Sequence, residues 1–218
     1  MRLIIASSVL ALAVAAPGLA AAQELKFSGG ATIASKYVAD GIEQTKGIAV
    51  QPWIEGEING FYFGAWMSNV DKALLGGDSV ETDLYFGYRG EAGILSYDIG
   101  YTRYYYNKSG NCCGDLILSM GVAATDKLGL GLKIKHNPST STNPAKQSNL
   151  SVSADYAFTD QFSMGATYGK VTKGGMTYWS VGGSYAINDA FGIGLTWYDT
   201  DVSKGVAVLS LDYAFSFN

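Results

Sequence analysis

Val206-Ala-Val-Leu-Ser-Leu-Asp-Tyr-Ala-Phe-Ser-Phe217, followed only by Asn218, decides the fold. Ala207, Leu209, Leu211, Tyr213, Phe215 and Phe217 share one face of a strand, while Ser210, Asp212, Ala214 and Ser216 share the other, with Val208 the exception. Strict alternation gives one apolar and one polar face. A run of this length that ends the chain on aromatics is the pattern of a closing strand in a membrane-spanning β-barrel, with the apolar set toward lipid and the small polar set toward the lumen.

The opposite end of the chain agrees. Arg2 precedes an apolar run from Leu3 to Ala16, and Ala20-Ala21-Ala22 offers a small-x-small cleavage site before Gln23. Residues 1–22 therefore read as a secretory signal peptide. The run is shorter than the roughly 20 residues a spanning helix needs, and Pro17-Gly18 interrupts it. Residues 23–218 then form one domain. Without Arg2 the bases fall from 15 to 14 against 19 acids, so the formal charge moves from −4 to −5. Such a surface has no basic surplus to neutralise phosphates, which excludes a nucleic-acid partner. A mean hydropathy of +0.10 suits a barrel in which every second residue meets water, and is too low for a helical membrane protein.

Period-two runs predict twelve strands: Leu25–Tyr37, Ala49–Ile58, Phe61–Asn69, Val80–Arg89, Ile94–Tyr105, Asp115–Ala124, Leu128–His136, Asn149–Phe158, Phe162–Lys170, Tyr178–Ile187, Phe191–Tyr198 and Val206–Phe217. Connections after even-numbered strands are short, as at Asn59-Gly60, whose residues both tolerate positive φ. Those after odd-numbered strands are longer, including Val38–Ile48, Val70–Ser79 and Tyr106–Gly114. Short turns on one side and long loops on the other match bacterial outer-membrane barrels, with both termini periplasmic. The expected fold is an all-β, antiparallel transmembrane barrel of about twelve strands in the outer membrane. One segment strains that reading. From Phe191 to Trp197 a strand tilted by 45° rises only roughly 15 Å, short of a ~25 Å apolar band.

The face assignment turns Lys26, Lys36, Glu81, Asp83, Asp98, Lys133, Lys135, Asp155 and Asp212 inward, together with Glu55 and Glu57. Lys26, Glu81, Asp83, Asp98, Lys133, Lys135 and Asp155 are the candidate lumen-lining selectivity residues, because opposed acids and bases set which solutes pass a polar channel. The alternative is a lumen closed by its own salt bridges, with the loops acting in adhesion. Trp66, Tyr85 and Tyr198 also point inward and could stack against a flat or sugar-like solute. Catalysis has little material. The one histidine, His136, stands near Asn137, Ser139 and Ser141 with no nucleophile elbow, and no His/Cys spacing makes a metal site. No enzyme and no cofactor are expected; the expected partners are outer-membrane lipid and small hydrophilic solutes or ions, with the barrel monomeric. Asp199 and Asp201 form a D-x-D in the last long loop. Adjacent Cys112 and Cys113, flanked by Gly110 and Gly114, read as an oxidised staple in the third long loop, with free thiols or links to another chain as the alternatives.

Three segments resemble a known family: S-K-Y-V-x-x-G-I-E-Q-T (Ser35–Thr45), G-F-Y-F-G-A-W-M-S-N-V-D (Gly60–Asp71) and E-T-D-L-Y-F-G-Y (Glu81–Tyr88). They are similar to the TorF family of porins, also catalogued as bacterial proteins of unknown function under the label Gcw_chp. The resemblance implies an outer-membrane barrel of about this length and brings no established substrate. The family pattern more usually places Arg before the glycine of the first motif, where this chain has Asp40-Gly41, so the resemblance also implies a different charge selectivity if that position lines a pore.

Overall fold

The computed structural model describes residues 24–138, 147–172 and 175–217. Twelve antiparallel strands close into a barrel: β1 (Lys26–Ala34), β2 (Ala49–Ile58), β3 (Phe61–Asn69), β4 (Val80–Ala92), β5 (Leu95–Tyr106), β6 (Gly110–Ala123), β7 (Leu128–Asn137), β8 (Gln147–Ala157), β9 (Phe162–Val171), β10 (Thr177–Ala186), β11 (Phe191–Thr200) and β12 (Val206–Phe217). Sequence neighbours pair throughout, and β1 pairs with β12 to remove the last edge. The predicted signal peptide lies outside the described residues.

The register fixes the barrel's size. Followed once round the sheet, the pairing returns to β1 displaced by about 16 residues. With twelve strands about 4.8 Å apart, that shear gives a tilt of about 43° and a backbone radius of about 12 Å. A tube of this radius is too wide for small side chains to fill, yet narrow enough for tyrosines to obstruct.

The packing is inverted relative to a water-soluble protein. Leu195 is 57% exposed, Leu209 59% and Phe86 60%, all on the outer face, while the described buried apolar residues are few and mostly small, such as Ala49 and Ala214. A water-soluble protein rarely exposes so continuous an apolar surface. An apolar outer face around a closed sheet is the surface of a transmembrane β-barrel. Outward aromatics gather at the short-turn end, with Phe27 stacked on Phe217 at 5.7 Å, Phe61 tilted against Tyr88 at 4.8 Å and Phe191 tilted against Tyr213 at 4.9 Å. An aromatic girdle of this kind, with the amphipathic rings of Tyr88 and Tyr213 in it, belongs at a membrane–water interface.

Several strand ends differ from expectation. β11 runs on to Thr200, so ten residues rise about 24 Å and the short apolar band disappears. β5 and β6 continue past the bilayer into a ribbon closed by residues 107–109, leaving no long third loop. Cys112 and Cys113 are disulfide-bonded there, within β6 rather than in a loop. The register slips beside them, with Tyr104 opposite Cys113 and Tyr105 opposite Asn111, so Cys112 is the extra residue of a β-bulge. The first strand, in contrast, is shorter than predicted. After Ala34 the chain leaves the wall, held by Ser35 N–H donating to the Leu209 carbonyl at 2.8 Å, and turns inward.

Candidate functional site: the barrel lumen

Residues 35–48 do not extend away from the barrel; they fold across its mouth. Val38 pairs with Glu43 and Ala39 with Ile42 around Asp40-Gly41, whose φ values of 50° and 83° make a tight hairpin turn. The tip crosses from β1 to the far side. The Asp40 carboxylate pairs with Lys135 on β7 and accepts a hydrogen bond from the Tyr178 hydroxyl on β10 at 3.5 Å. A Cβ on Gly41 would lie 2.8 Å from that of Tyr178, so only glycine seats the turn there. Lys36 clips Glu43 at 2.8 Å, and Thr45, 2% exposed, accepts from the Tyr37 N–H at 2.8 Å. The Tyr37 ring stands edge-on to Trp66 at 5.3 Å. The first motif of the sequence is thus a lumenal hairpin.

Below it lies a wall of acids, bases and tyrosines on β2 to β7. Glu81 and Asp83 lie on β4 and Asp115 on β6; Tyr37 and Tyr106 are directed at Glu81. Asp115 accepts from Tyr104 at 3.0 Å and from Asn137 at 3.0 Å. Glu81 is 4% exposed, and its Oε2, like Asp83 Oδ1, has no hydrogen-bond partner among the described residues. Lys133 faces them from β7. It points into the barrel, is exposed as a residue, and no described ion pair holds it.

Nearer the short turns a second cluster forms. Arg89 donates to Glu55 at 2.7 Å, approaches Glu57 at 3.6 Å and lies 4.0 Å over the Tyr62 ring. Tyr62 in turn donates to Asp98 at 2.6 Å. Gly87 and Gly100 make room for the Tyr62 ring by lacking side chains. Arg89 escaped the sequence reading although it shares the parity of Glu81, Asp83 and Tyr85 on one strand. That parity was the available signal.

The opposite wall, β8 to β11, is built largely of glycine, serine and threonine and leaves an open trough along the lumen. Asp155 stands there between Gly129 and Gly165, and Tyr198 closes one side. Asp212 is tied instead to Thr32 at 2.6 Å and Ser210 at 3.1 Å.

Of the residues singled out from sequence, the structure gathers Glu81, Asp83, Lys133 and Lys135 at the long-loop half. Asp98 lies beside Arg89, Asp155 alone on the small-residue wall, and Lys26 opposite Glu57 at the short-turn rim. Trp66 and Tyr85 line the crowded wall. His136 faces outward and bonds Ser148 at 2.8 Å; Ser139 and Ser141 lie outside the described residues. Asp201 accepts from the Thr177 N–H at 3.0 Å.

A closed twelve-strand barrel with an apolar outer face, a charged lumen and an infolded first loop defines a transmembrane β-barrel. The family of bacterial proteins of unknown function called Gcw_chp matches residues 19–213. The chain belongs to that family. No curated protein matches it. Among solved structures it is similar to the KdgM porin in complex with disordered oligogalacturonate, with 14% identity and a TM-score of 0.64 over 88% of this chain and 99% of that one. It is also similar to the NanC porin, with 11% identity and a TM-score of 0.54 over 89% and 100% of the two chains. At these identities the likeness is one of fold.

Proposed function

We propose that this protein is a porin of the bacterial outer membrane, passing small hydrophilic solutes by diffusion through a narrow polar lumen. Residues 1–22 are its cleaved signal peptide, the long loops face outside, and the motif resemblance to the TorF porins points the same way. The observation that carries the reading is Lys133, a lysine that points into the barrel, exposed and without an ion pair among the described residues, a placement that suits a polar, water-filled tube. Acids outnumber bases along the lumen, since Glu55, Glu57, Glu81, Asp83, Asp98 and Asp115 face Arg89, Lys133 and Lys135. The field therefore favours cations over anions. The KdgM porin was crystallised with oligogalacturonate, an oligo-anion; the acid excess here disfavours such a solute.

Single-channel recording of detergent-purified residues 23–218 in a planar bilayer tests this. Reproducible current steps with cation preference are the expected result. Silence from a folded, heat-modifiable barrel would instead favour a closed barrel that acts through its loops.

A further inference from the structure

The open space on β8 to β11 has a composition that the rest of the lumen lacks. It holds one carboxylate, Asp155, one ring, Tyr198, and the hydroxyls of Thr167, Ser180, Ser184 and Thr196, with glycines between them. Asp155 is flanked on both sides by glycine, so no neighbouring side chain shields it. No described cation pairs with it. A hydroxyl both donates and accepts, which matches a ligand whose own groups are hydroxyls. A lone carboxylate accepts two hydrogen bonds from a vicinal diol in a single plane. A tyrosine face covers the C–H side of a pyranose, and the trough opens toward the lumen, where a ring can lie against it.

We propose that this trough is a binding subsite for neutral, polyhydroxylated solutes of hexose size. Asp155 accepts from the diol, Tyr198 stacks on the ring, and the Ser/Thr hydroxyls complete the contacts. A uronate is rejected, because Asp155 and the acid excess of the facing wall repel its carboxylate and no lysine or arginine of the trough compensates. This assignment rests on the porin reading only for transport; binding can be measured without it.

Saturation-transfer NMR with glucose on the detergent-folded barrel reads binding directly, and liposome swelling reads passage. Glucose should give transfer that Asp155→Asn and Tyr198→Leu each weaken about tenfold, with Asp126→Asn, in an exposed short turn, as the unaffected control. Galacturonate should give little. Equal transfer in wild type and both variants, or equal transfer from galacturonate, would overturn the subsite. Should a variant fold poorly, as reported by heat-modifiability, wild-type competition between the two sugars still decides. Transfer without swelling for any solute would refute the porin reading and leave the subsite standing.

Discussion

Lys133→Glu is the sharpest test of the lumen as described. Lys133 has no described ion pair for its replacement to break, and it is exposed on the lumenal face. The change alters the local charge by about two units. At about 6 Å in water each unit acts on a monovalent ion with about 0.7 kcal/mol, and screening at 0.1 M salt reduces that to about 0.4 kcal/mol. A cation then gains about 0.8 kcal/mol and an anion loses as much, so the permeability ratio should move toward cations by a factor on the order of ten. Reversal potentials across a tenfold salt gradient in a planar bilayer measure the ratio, and the shift should shrink as salt rises. An unchanged ratio in a conducting, correctly folded variant would refute the argument, because it would put Lys133 outside the conduction path.

Four further outcomes are expected. Asp40→Ala frees the hairpin tip from Lys135 and Tyr178, so unit conductance should increase and become noisier in the same recordings. Leu195→Arg, at the middle of the lipid face, should cost about 2–4 kcal/mol of stability in urea titrations of lipid-reconstituted barrel, while Ser151→Arg, facing the lumen, should cost far less. Arg89→Ala leaves Glu55, Glu57 and Asp98 facing one another; because Arg89 is about a third exposed, the loss should be only about 1–2 kcal/mol, read by the same titration. The Asp78 carboxylate accepts from the Lys108 and Ser109 backbone and from the Ser109 hydroxyl. Desolvation works to raise its pKa, but these bonds outweigh it and hold the carboxyl below its ordinary value. A depressed folded pKa means the tie is present above the ordinary carboxylate pKa of about 4 and is lost as pH falls through and below it. Amide protection factors at Lys108 and Ser109, referenced to the intrinsic exchange rate at each pH, should therefore fall below about pH 4, and Asp78→Asn should remove that pH dependence of protection.

The barrel was legible because its lipid face is written in period two: Leu128, Leu130, Leu132 and Ile134 against Gly129, Gly131, Lys133 and Lys135 leave one strand and one orientation. The strand ends were not, because outside the bilayer nothing enforces alternation. The β5–β6 ribbon keeps its ladder through Tyr104, Cys113 and a bulge that no periodicity announces. The inward fold of residues 35–48 was also hidden. Lys36 and Lys135 read as inward from their strands, but Asp40 and Glu43 look like ordinary loop charges until the turn at Asp40-Gly41 aims them across the mouth. Arg89 shows a third reason: its partners come from β2, β3 and β5, and it stands at the end of the periodic run, where a charge passes for a rim residue. The charged wall could be listed residue by residue, but which acid meets which base depends on shear, and shear is a property of the closed sheet.

The two walls also differ in what they permit an evolving lineage to change. On β2 to β7 the residues are interlocked: Gly64, Gly87 and Gly100 leave room for Tyr85 and Tyr62, so an added side chain strikes a ring or the backbone. On the facing wall, a Cβ at Gly194 meets the movable Ser210 hydroxyl at 2.8 Å and backbone only at 3.8 Å. A substitution at Gly194 therefore adds a group to the lumen without undoing a pairing, whereas a Cβ at Gly182 on the same wall comes within 2.9 Å of the Leu195 carbonyl. Freedom to redecorate the lumen without reopening the problem of how to fold is thus granted position by position, and Gly194 has it.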